Sequence, residues 1–154
     1  MACPFFMPAE RFTGIAWQHR ARLPLGDGWK GHCTAPGHES FAPDDDHLTQ
    51  FCNLGYARQC NCLPSARVAD AVRFCVSRDR EQLITLLYVC EANHRPQEHG
   101  TLEYEPASHR WRSSHNDTRI QRMAECYLES YLERRSNSTP EHSPVMENKV
   151  MDIW

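Results

Sequence analysis

The rhythm of apolar positions changes at residue 65 and again at residue 116, and each change predicts a different kind of structure. In the middle of the chain, AVRFCVSR sets Val72, Phe74 and Val76 against Arg73, Cys75 and Ser77. That alternation is the period of a half-buried strand. The polar DREQ then reads as a turn. LITLLYVCEA, residues 83–92, is a nearly continuous run of strand formers, as expected of a central strand covered on both faces. The two runs predict a hairpin, with Cys75 and Cys90 as sheet residues that can face each other. NHRPQEHG, with Pro96 and Gly100, is expected to interrupt the strands as a loop, and TLEYEPASHRWR to form a second hairpin around Pro106, Ala107 and Ser108.

From residue 116 the period lengthens. Ile120, Met123, Ala124, Tyr127, Leu128, Tyr131 and Leu132 recur at three and four residues, which predicts an amphipathic helix over 116–135. Asn116 or Asp117 would cap its start, and Arg134 and Arg135 would complement its last carbonyls. This helix should lie across one face of the sheet, its aromatic stripe serving as core.

The first 64 residues show neither period. Residues 1–12 place Pro4 and Pro8 among Phe5, Phe6 and Phe12 and are expected to form a loosely held arm rather than a regular element. Arg20 and Arg22 precede the turn-rich PLGDG and read as a solvated strand edge, with a small anion site as the alternative. Trp17 and Trp29 are expected to pack against the segment that follows. SARVAD, residues 65–70, reads as a helical turn. The last residues, 136–154, are polar and proline-bearing and are expected to be disordered, with VMDIW as a short docking motif at most.

The fold class expected from these elements is α+β. A small antiparallel meander packs on a C-terminal amphipathic helix, preceded by a cysteine-rich, loop-rich N-terminal half. A chain of 154 residues suits one domain, taken as residues 1–135, with 13–64 as the cysteine-rich region and 65–135 as sheet plus helix.

Composition removes several functions. A formal net charge of -3 gives no field to recruit nucleic acid or an anionic membrane. No apolar run reaches the length of a membrane span, and the first residues lack the pattern of a signal peptide. The expected location is therefore the cytoplasm. No phosphate-cradling glycine loop, G-x-S-x-G turn or H-E-x-x-H pair is present, so a binding protein is favoured over an enzyme.

Eight cysteines are many for a reducing compartment. Four fall in one stretch, Cys33, Cys52, Cys60 and Cys62, in the pattern C-x18-C-x7-C-x-C. Cys33 is expected in a turn between Gly31 and Pro36. Cys52 is expected near the end of a short helix that is capped by one of Asp44, Asp45 and Asp46 and stopped by Gly55. Several thiolates converge on one point only if the chain turns between them, which is what zinc and iron–sulfur sites require. The four thiols are the candidate metal ligands, and the metal, zinc or an iron–sulfur cluster, is left open. Neighbouring thiols in C-x-C point to opposite sides unless the backbone bends, so the fourth ligand is either Cys62 or one of His38, His47, His94 and His99. His94, Glu98 and His99 are otherwise exposed turn residues. The function expected is a small metal-binding protein with a structural, electron-transfer or redox-sensing role. The alternatives are a metal-free interaction domain that offers the Arg20 and Arg22 edge or the tail to a protein partner, and a thiol-based redox enzyme.

Overall fold

Among the described residues, two antiparallel sheets and one long helix account for nearly all the regular structure. The computed structural model describes residues 1–39, 41–54 and 56–138. β1 (Phe6–Arg11) pairs with β2 (Trp29–Cys33) in a two-stranded sheet. β3 (Ala71–Arg80), β4 (Leu83–Ala92), β5 (Arg95–Glu105) and β6 (Arg110–Ser113) form a meander in the order β3-β4-β5-β6. The architecture is α+β, as the apolar pattern predicts.

α2 (Thr118–Ser138) closes the core; a short α1 (Asp45–His47) precedes it in the chain. Asp117 opens α2 by accepting the Arg119 N–H at 2.9 Å, which satisfies one of the free first-turn amides. Ile120, Met123, Ala124 and Leu128 pack with Phe74, Ile84, Leu86 and Leu102 of the meander and with Phe6 and Trp29 of the small sheet in one cluster. Arg122 fastens α2 to β1 through the carbonyls of Pro8 and Ala9, at 3.0 and 3.1 Å. The helix runs past its predicted end at Arg135. Its two late arginines turn outward from it, Arg134 to the Gly26 carbonyl at 2.7 Å and Arg135 to Asp79 at 3.2 Å. The rest of the predicted tail, 139–154, lies outside the described residues.

Several expectations give way. Residues 1–12 are not a loose arm: Ala2 and Val72 exchange two backbone hydrogen bonds at 2.7 and 2.9 Å, and residues 6–11 are β1. Pro8 is tolerated because the ladder is irregular between Pro8 and Glu10, which leaves Ala9 without a partner in the register. NHRPQEHG does not interrupt the meander either. Asn93 and His94 take left-handed conformations with φ of 50° and 59°, the geometry of a two-residue hairpin turn, and β5 begins immediately after them. A second irregularity, between Cys90 and Glu91, accommodates Pro96. β4 is central but covered well on one face only, since Leu87 on the other is 39% exposed. Cys75 pairs with Leu87 and Cys90 with Val72, so the two thiols do not face each other. Arg20–Arg22 is a single tight helical turn, not a strand edge, and Arg20 is engaged by Asp27 at 2.8 Å. SARVAD forms no helix; its Arg67 and Asp70 pair at 2.6 Å.

Candidate metal centre

Four separate segments bring sulfur to one place beside the small sheet. The first carries Cys3, which follows the Ala2–Val72 bridge. Its own N–H donates to the Cys52 carbonyl at 3.3 Å, and its carbonyl accepts the Phe6 N–H at 3.1 Å. The second is the end of β2, where Cys33 donates its N–H to the Phe41 carbonyl at 3.1 Å. The chain then bends, so that the Ala35 N–H approaches Cys33 Sγ at 3.4 Å.

The third segment is helical. Asp44 caps α1 by accepting the His47 N–H at 2.8 Å, and the helix widens at once into a π-type turn over Leu48–Cys52, with Asn53 N–H donating to the Leu48 carbonyl at 3.0 Å. Cys52 closes that turn. Asn53, 1% exposed, works as a substitute backbone: its Oδ1 accepts the Trp29 N–H at 2.8 Å, and its Nδ2 donates to the carbonyls of Trp29 and Leu48 at 2.7 and 3.1 Å. The helix end is thereby tied to β2. The expected glycine stop, Gly55, lies outside the described residues.

The fourth segment carries Cys60 and Cys62. The chain turns between them and Leu63, whose N–H donates to the Cys60 carbonyl at 3.2 Å, and both sulfurs end on the same side. His47 completes the group. Its Nε2 lies 3.2 Å from Cys60 Sγ, and its ring is held edge-on by Phe41 and tilted against Phe51, at centroid distances of 5.4 and 4.9 Å. One donor atom each from His47, Cys60 and Cys62 lies within 4.8 Å of the other two.

All of these thiols, with His47, line one cavity of about 10 Å³, room for roughly one water-sized sphere. The rest of its wall is apolar: Phe5, Phe6, Ala35, Pro43, Phe51 and Leu63. In that setting a lone thiolate is disfavoured. Burial, then repulsion from Cys60 and Cys33, pushes Cys62 up to about 11. Burial pushes Cys3 up to about 12, against the backbone amides of Phe5 and Phe6, which favour its thiolate. Cys52 is raised by burial first, then by Cys3, Cys60, Cys33 and Cys62. Low dielectric penalises the charged form and neighbouring thiolates add to the penalty. A bound cation reverses both effects.

The four thiols singled out in the sequence, Cys33, Cys52, Cys60 and Cys62, thus share one cavity, and His47 is the histidine brought to them. His38 packs on Phe41, His94 stacks on Tyr56 at the β4-β5 turn, and His99 sits on β5 opposite Val89; none of the three lines the cavity. Glu98, expected in a turn, is on β5 and accepts from the Tyr88 hydroxyl at 3.1 Å. The sequence reading missed Cys3. Its one local signal, a cysteine before Pro4, Phe5 and Phe6, says nothing about a partner some thirty to sixty residues away. The remaining three cysteines are elsewhere: Cys75 exposed on β3, Cys90 buried on β4 and Cys126 buried in α2. Among the described residues no helix is long and apolar enough to cross a membrane. No protein-family model matches this chain, and neither a curated protein nor a solved structure does.

Proposed function

We propose that this chain is a small metal-binding protein whose N-terminal half folds about a thiolate-rich centre. Cys33, Cys52, Cys60 and Cys62 are the thiol ligands of that reading, with His47 as the alternative fourth donor. One observation carries it: His47, Cys60 and Cys62 present donor atoms within 4.8 Å of one another on a cavity that Cys33 and Cys52 also line. Tetrahedral zinc with Zn–S near 2.3 Å sets its ligands about 3.8 Å apart, so this group needs only small side-chain adjustments to close on an ion. Soft sulfur and imidazole donors select zinc, copper(I) or iron–sulfur chemistry over magnesium or calcium.

The apolar wall bears on the role. A catalytic metal keeps a coordination position open to water or substrate, whereas a structural one is enclosed by protein. Walls of Phe5, Phe6, Pro43, Phe51 and Leu63 favour an enclosed centre that holds the fold together or carries an electron. Of the edge that the interaction-domain alternative would offer, Arg20 is already engaged by Asp27.

Elemental analysis of the full chain purified without oxygen tests the reading and separates zinc from iron. Stoichiometric metal is expected. Cys33→Ser should lower metal content and thermal stability together, and Cys75→Ser, at an exposed sheet position, should leave both unchanged. Equal loading of the two variants would refute the ligand assignment.

A further inference from the structure

Cys3 is the thiol that sequence spacing does not connect to the others. It is 7% exposed, and the segment around it is held at three points: the Ala2–Val72 bridge, the Cys3 N–H on the Cys52 carbonyl, and the Cys3 carbonyl on the Phe6 N–H. The last of these closes a tight turn through Pro4 and Phe5 that aims the sulfur into the same cavity as Cys33, Cys52, Cys60 and Cys62. The sulfur shares that wall with Cys60 and Cys33, and the neighbouring backbone of Phe5 and Phe6 favours its thiolate. Amides around a sulfur are what a metal thiolate uses to spread its charge.

Cys90 and Cys126 supply an internal comparison. They are as buried as Cys3, at 3% and 0% exposure. Neither, however, lines the cavity: Cys90 sits on β4 opposite Val72, and Cys126 is buried in α2. Burial alone therefore does not bring cysteines together in this protein, and Cys3 belongs with the convergent group rather than with the ordinary core.

We infer that Cys3 is a ligand of the metal centre and that the first strand is clasped to the fold through the bound metal. The inference rests on the metal-binding reading above and adds a ligand to it. With Cys3 the cavity presents five thiols and one imidazole, more donors than the four one tetrahedral ion takes. The donor set is then large enough for either a single soft ion, with spare thiols beside it, or a thiolate-held iron–sulfur cluster.

The test uses the full chain, loaded anaerobically with zinc, with cobalt(II) as a coloured stand-in, or with ferric iron, sulfide and a thiol reductant. Cys3→Ser should retain metal against a chelator at least about tenfold less well and should lose part of the thiolate-to-cobalt charge-transfer absorption. Cys90→Ser and Cys126→Ser should lose neither. In the unmutated chain, metal should protect Cys3 from alkylation, read by peptide mass spectrometry, which keeps the inference testable if Cys3→Ser does not fold. Wild-type loading with Cys3 freely alkylated, or with an unchanged cobalt spectrum in Cys3→Ser, overturns this inference and leaves the metal-binding reading standing. Failure of every metal to load overturns both.

Discussion

Asn53 is the side chain on which the position of Cys52 depends most directly. It makes three buried hydrogen bonds, one from the Trp29 N–H and two to the carbonyls of Trp29 and Leu48. Asn53→Ala deletes all three and strands the two backbone groups of Trp29 in a site closed to water. At about 1 kcal/mol net per bond the loss is about 3 kcal/mol, and the unpaired buried Trp29 N–H moves it toward about 4 kcal/mol. With a urea dependence near 2 kcal/mol per molar, the unfolding midpoint should fall by about 2 M. The measurement is equilibrium urea unfolding followed by tryptophan fluorescence, in chelator and again after metal loading. Asn53→Asp sharpens it. The variant keeps an acceptor for the Trp29 N–H but turns a carboxylate oxygen toward two carbonyls, so its folded-state pKa should rise above the unfolded value of about 3.9. A raised carboxyl pKa means stability present below the unfolded pKa and lost as pH rises through the folded one. Relative to wild type, then, Asn53→Asp should improve on acidification while Asn53→Ala does not. An Asn53→Ala unfolding free energy within about 0.5 kcal/mol of wild type would refute the role given to this side chain.

Two further predictions come from the sheets. Burial alone would raise the Asp70 carboxyl, but the Asn93 N–H at 2.8 Å and Arg67 at 2.6 Å outweigh it and hold the group below its ordinary value. The stability this adds is present above the unfolded pKa, about 3.9, and is lost as pH falls through the lower folded one. Asp70→Asn should thus be less stable than wild type at pH 7, with a gap that narrows toward pH 3 in urea titrations; a gap independent of pH would contradict the assignment. Gly31 faces the Met7 carbonyl across the β1-β2 ladder with no room for a methyl group. Gly31→Ala should lower stability by about 1–3 kcal/mol and reduce metal content with it, since Cys33 ends the same strand, and an unchanged melting temperature would contradict this.

The legible part of the fold was the part with local rhythm. β4 coincides with the apolar run over 83–92, the α2 stripe packs as its period requires, and Asp44 caps the turn that leads to Cys52. What escaped depended on tertiary context. Pro4 and Pro8 argue locally against a strand, yet the irregular register after Pro8 removes the need for a full ladder. Asn93 and His94 carry no glycine, so their positive φ values are invisible until the hairpin forms around them. At the candidate site, the group between Cys33 and Cys62 was visible because its members are near in sequence. His47 could not be told from three other histidines, and Cys3 was out of view because it enters through pairings of Ala2 with Val72 and of β1 with β2.

The Ala2–Val72 bridge has a kinetic side. The meander is built from successive hairpins, whose ends meet after short loop closures, whereas β1 must find β2 across the whole of residues 12–28 and Ala2 must find a strand that begins at Ala71. Long closures are paid in chain entropy before any contact rewards them. Residues 71–113 are thus expected to assemble early in refolding and the N-terminal sheet late. The thiols would meet only in that last step, when the platform that receives them already exists.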